Sequence, residues 1–110
     1  MLTFLNVSGL VYTANEPELK YTPNQTAVVN LTVVVNRQWT GSDNARHEES
    51  CFIGCVCFNK LAEIVSENVG KGEPLYIEGR LKQECWEKDG VNHSKHVLML
   101  NRVIYFKPKE

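Results

Sequence analysis

One segment of this chain has helical spacing, and nearly everything else alternates with a period of two. Leu61, Ile64, Val65 and Val69 recur on one helical face, Asn59 stands where an N-cap belongs, and Gly70 and Gly72 follow as stops. Upstream, Leu5, Val7, Gly9 and Val11 form the apolar side of one strand, and Ala27, Val29, Leu31, Val33 and Val35 that of a second. A third strand runs through "CFIGCVCF" at 51–58. After the helix, Leu75, Ile77, Gly79 and Leu81 oppose Tyr76, Glu78, Arg80 and Lys82, and a last alternating segment covers Val97 to Phe106 beyond the turn signal "KDG" at 88–90. "NEPELKYTPNQT", with two prolines, reads as an irregular connection, and Trp39 is followed by a polar loop of about ten residues.

The order β-β-β-α-β-β predicts an all-β fold with one helix, a five-stranded Greek-key OB barrel. A split βαβ fold would need two helices, and an SH3-like barrel would have no helix of this length. The 110 residues make one domain, expected over 1–106 with a short end at 107–110. No apolar run approaches the ~20 residues of a membrane span, so no membrane partner is expected. The N-terminus lacks the basic region and cleavage site of a secretory signal, which predicts a cytoplasmic protein with free thiols.

Within "CFIGCVCFNK" the odd positions are Cys51, Ile53, Cys55 and Cys57, and the even ones Phe52, Gly54, Val56 and Phe58. Free cysteine is among the most buried residue types, so the cysteine side is expected in the barrel interior and the phenylalanines outside. The same alternation carries Tyr76, Glu78, Arg80, Lys82 and Trp86 onto one wet face of the fourth strand. Trp39 ends the second strand with the parity of the core set, and both a core lid and an exposed platform fit it.

Net charge is −1, so any nucleic-acid site must be local rather than spread over the surface. Aromatic rings interleaved with lysine and arginine suit single-stranded nucleic acid, where each base stacks on a ring for about 1–3 kcal/mol and each cation meets a phosphate. The alternative is that these rings cover a protein partner. Cys51, Cys55, Cys57 and Cys85, with His47, lack the Cys-x2-Cys spacing of zinc sites, so no metal is expected. His47, His93 and His96 have no nucleophile motif beside them and read as surface residues, so no enzyme activity is expected.

Five strings, "EPELKYTP" at 16–23, "VNRQW" at 35–39, "FNKLAE" at 58–63, "KGEPLYIEGRL" at 71–81 and "CWEKDG" at 85–90, resemble in order and separation the bacterial single-stranded DNA-binding protein family. The resemblance covers about Leu5 to Phe106. It implies an OB-fold homotetramer, built from dimers, that wraps single-stranded DNA without sequence preference in replication, recombination and repair. Neither catalytic residues nor cofactors are implied. Its stacking aromatics fall on Trp39, Phe52, Phe58 and Trp86, with Phe52 at a position where tryptophan is common. Backbone contacts fall on Arg37, Lys60, Lys71, Arg80 and Lys82. The first strand, with Leu5, Val7 and Val11, is placed at the subunit interface. The implied location is the cytoplasm, at the nucleoid.

Three departures stand out. Gln25 and Thr26 follow "TPN" where glycine is frequent, the cysteines at 51, 55, 57 and 85 are not a family signature, and the chain ends at "YFKPKE". Family members usually continue into a Gly-, Pro- and Gln-rich segment with an acidic tip that recruits replication and repair enzymes, so such recruitment is not expected of this chain. The rival reading is a primosome-type OB accessory module, dimeric and with fewer stacking aromatics.

Overall fold

The computed structural model describes residues 1–106, so the short end at 107–110 lies outside the described residues. Six strands and one helix follow in the order β1 (Asn6–Thr13), β2 (Glu18–Tyr21), β3 (Ala27–Thr40), β4 (Arg46–Phe58), α1 (Asn59–Asn68), β5 (Pro74–Lys88) and β6 (Val91–Tyr105). The sheet order is β1-β5-β6-β4-β3-β2, and β1 also pairs with β3. That extra pairing, Tyr12 with Val34 and Thr13 with Val33, closes five strands into the expected OB barrel, with β4 and β6 its parallel neighbours. The sixth strand was not expected: "ELKY", read as irregular, pairs in register with β3 from Glu18–Asn30 to Tyr21–Ala27.

Two expected loops are strands as well. The polar stretch after Trp39 is not a ten-residue loop, because β3 and β4 pair continuously out to Thr40–Arg46. Its tight turn is closed by backbone bonds between Gly41 and Ala45 and between Asn44 and Gly41, with Asn44 at a φ of 58°. The last strand likewise begins at Val91 rather than Val97. Both hairpins outrun the barrel, so their outer halves have no core to face. Polar composition there reflects solvent on both sides, not the absence of a strand.

Inside the barrel, alternation gives the core. Val29, Leu31, Val33, Cys55, Cys57, Leu75, Ile77, Leu98 and Leu100 point inward, and Ala62 and Val65 of α1 cover one end. Asn59 is not the N-cap; it is the first residue of α1 with a φ of 59°, and Phe58 precedes it in extended conformation without a side-chain cap bond. The helix stops at Asn68, before either glycine, and the Val69 N–H still donates to the Val65 carbonyl at 3.0 Å. No helix among the described residues is long and apolar enough to cross a membrane.

The turn after α1 is tied down by Thr13, whose hydroxyl donates to the Gly70 carbonyl at 2.6 Å and accepts the Glu73 N–H at 2.9 Å. A bulge between Glu78 and Gly79 shifts the β5–β6 register. There a Cβ on Gly79 would stand 2.6 Å from the Met99 carbonyl oxygen, so only glycine lets the strands approach.

Candidate nucleic-acid interface

Three of the four expected platforms share one face. Residue alternation on β4 puts Phe52 and Phe58 outside, opposite the buried Cys55 and Cys57, and the register sets them across from Val34 and Val28 of β3. Phe52 is 66% exposed. On the neighbouring strands the outward positions are Arg80, Lys82 and Trp86 of β5, facing Met99, Val97 and His93 of β6. Arg80 reaches Met99, its Nη2 standing 3.5 Å from Sδ, and it joins Phe58, Leu61 and Met99 around a depression of about 380 Å³. Lys60 is the second residue of α1, exposed and two positions beyond Phe58.

Each hairpin carries one tryptophan outside the barrel. Trp86, 44% exposed, lies against His93 with ring centroids 5.5 Å apart and planes 18° from parallel, and Lys95 Nζ stands 5.8 Å from its ring centre. Trp39, 37% exposed, stacks on His47 at 5.5 Å and 23°, with the Arg37 guanidinium 5.0 Å from its ring centre. Both readings left open for Trp39 are thereby decided toward exposure. Its parity does match the core set, but β3 has already left the barrel: Val35 on the same side is exposed too. Trp39 therefore projects from the opposite face of the β3–β4 ladder to Phe52, and the four rings do not share one flat surface.

The cations divide in the same way. Arg37 belongs to the Trp39 hairpin, where it also pairs with Glu49 at 3.8 Å. Lys71 is not brought together with the others. It sits in the α1–β5 turn, its backbone N–H bonded to Glu16 at 3.2 Å, before the start of β5 at Pro74, which by strand rise is about 20 Å from Arg80.

His47, His93 and Lys95 are the residues that sequence reading missed as neighbours of the platforms. Their signal was the register itself: Trp39 is paired with His47 and Trp86 with His93, which follows once both hairpins are known to continue outward. In the first hairpin turn the Ala45 N–H and then His47 hold the Asp43 carboxyl below the usual aspartate range.

Two expectations about burial are corrected. Cys51 is exposed, since β4 enters the barrel only after it, so only Cys55 and Cys57 fill the core. Burial pushes the Cys55 thiol up to about 12, with the neighbouring Cys57 adding to the effect, and pushes Cys57 up to about 11. The Val11 side chain, which the resemblance placed at the subunit interface, is taken up by the core of its own chain. It is 5% exposed in the core, and Val7 packs against that core, because the odd positions of β1 face inward; Leu5 lies exposed ahead of the strand. Leu10 and Tyr12 are the apolar residues that β1 turns outward. Among the described residues no three His, Cys, Asp or Glu side chains gather where they could hold a metal ion.

A closed five-stranded barrel with uncovered rings beside lysine and arginine, and with long hairpins extending its outer face, defines an OB-fold that offers stacking surfaces. Residues 10–106 match the single-strand binding protein family, and the chain belongs to that family. A single-stranded DNA-binding protein from Aquifex aeolicus is 36% identical over 93 residues, covering 79% of this chain and 63% of that protein. One from Helicobacter hepaticus is 34% identical over 82 residues, covering 74% and 48%. The chain thus spans less than two thirds of the length of both relatives. The fold is similar to that of a Plasmodium falciparum SSB solved in complex with ssDNA, with a TM-score of 0.86 at 15% identity, covering 97% of this chain and 98% of that one. A deletion mutant of the Thermus aquaticus single-stranded DNA-binding protein gives 0.79 at 25% identity, covering 94% and 51%.

Proposed function

We propose that this chain binds single-stranded DNA without sequence preference, stacking bases on its exposed rings and holding phosphates with nearby cations. What carries the reading is the shared outer face of Phe52, Phe58 and Trp86 with Arg80 and Lys82 among them. Every base has a π face, so rings select for unpaired strands and not for sequence. Lys60 extends the cationic set beside Phe58, and Trp39 with Arg37 forms a second platform on the other hairpin. Family membership supports the same reading.

In this proposal the protein works as a homotetramer assembled from dimers, protecting single strands during replication, recombination and repair in the cytoplasm, at the nucleoid. The outward residues of β1 supply the dimer contact: Leu10 is 69% exposed, and Tyr12 beside it is uncovered as well. Titration with oligo-dT, followed by tryptophan fluorescence at low and high salt, tests the binding. Strong quenching at both salts is the expected result. Absence of quenching would assign the rings to a protein partner.

A further inference from the structure

The outer face of β4 has a gap between its two phenylalanines. Gly54 carries no side chain there, and a Cβ added to it would meet only Val97 Cγ1, at 4.0 Å. Thr32 lies directly across on β3, and Asn30 lies one outward position further along. Glu84 and Lys95, paired across the β5–β6 hairpin, close the other flank. These six residues help line a groove of about 280 Å³, near the small end of pockets that hold small ligands. Lys95 is shared, because the same ammonium stands 5.8 Å from the Trp86 ring centre.

We infer that this groove seats one nucleobase of the bound strand, between the Phe52 platform and Trp86, and that Lys95 holds the phosphate linking that base to the one on Trp86. A base is flat with a polar rim. The bare backbone at Gly54 and the buried Val97 form a flat floor, which a side chain at residue 54 would fill. Asn30 offers both a donor and an acceptor to the rim and the Thr32 hydroxyl offers the same, so neither excludes any base. Glu84 accepts from base N–H groups, while Lys95 beside it supplies the cation that a phosphate needs. The inference rests on the reading of the chain as a single-strand binder.

Its test compares G54A, G54V and K95A with the unaltered protein, using fluorescein-labelled oligo-dT in anisotropy titrations and thermal melts of each variant. Valine suits a strand, and a Cβ here stands at ordinary contact distance, 4.0 Å, from Val97 Cγ1 with no backbone in the way, so G54V is expected to melt no lower than the parent. Its affinity should fall roughly tenfold, the loss of one stacked base, while G54A stays within about twofold. K95A should bind more weakly at low salt and flatten the dependence of log K on log salt by about one unit. A folded G54V that binds as tightly as the parent, or a K95A with unchanged salt dependence, overturns the seat. Were the parent itself not to bind the oligonucleotide, the proposed function would fall and the seat with it, so the two failures are told apart.

Discussion

His93 lies almost flat against Trp86, seven residues away in sequence, because the β5–β6 register sets the two side by side outside the barrel. The indole is thus held in place without being buried. Trp86→Ala should weaken oligo-dT binding by about 1–3 kcal/mol and leave the melting temperature within a degree or two, since no core contact is lost. His93→Ala should cost less than Trp86→Ala. A collapse of the melting transition in Trp86→Ala would show that the ring supports the fold.

Cation placement predicts unequal salt effects. Lys82→Ala should lower the slope of log K against log salt by about one unit, because Lys82 shares the face of Phe52 and Trp86. Lys71→Ala should leave that slope unchanged, since the α1–β5 turn holds Lys71 away from that face. Equal slopes in the two variants would mean that the strand also passes this turn.

The four thiols should fall into two classes. An aromatic disulfide reagent at pH 8 is expected to modify Cys51 and Cys85 in the native protein, and Cys55 and Cys57 only on unfolding, because burial keeps the latter protonated. The same shift sets a stability trend. Both thiols are raised in the folded state from an ordinary 9.0, so the unfolded chain ionises first as the pH climbs. Stability should be unaffected by these thiols below about pH 8 and decline above about pH 9, toward the folded values, by about 1.4 kcal/mol per thiol per pH unit. Denaturant titrations of the parent and of Cys55→Ala from pH 7 to 10.5 check this; parallel curves would contradict it.

On β1 the two faces should respond in opposite ways. Leu10→Glu places a charge on the outward face and should lower the mass seen by sedimentation while each subunit stays folded. Val11→Ala should instead cost about 2 kcal/mol of stability, as a buried side chain loses its packing. An unchanged mass for Leu10→Glu would move the subunit interface away from this face.

Period-two alternation and one helical segment determined the barrel, because strands that line a core must alternate and a covering helix must repeat every 3–4 residues. Leu31, Cys55, Leu75 and Ile77 were legible as interior for that reason, and Phe52, Phe58 and Trp86 as exterior. Alternation says which side of a strand a residue takes, but not where along the strand the core ends. Tertiary structure alone therefore decided that Trp39 and Cys51, both with core parity, stand in solvent, whereas Val11 lies inside and Leu10 outside as the alternation of the first strand sets them. It also paired each tryptophan with a histidine, since cross-strand neighbours depend on register and register depends on where the hairpin turns.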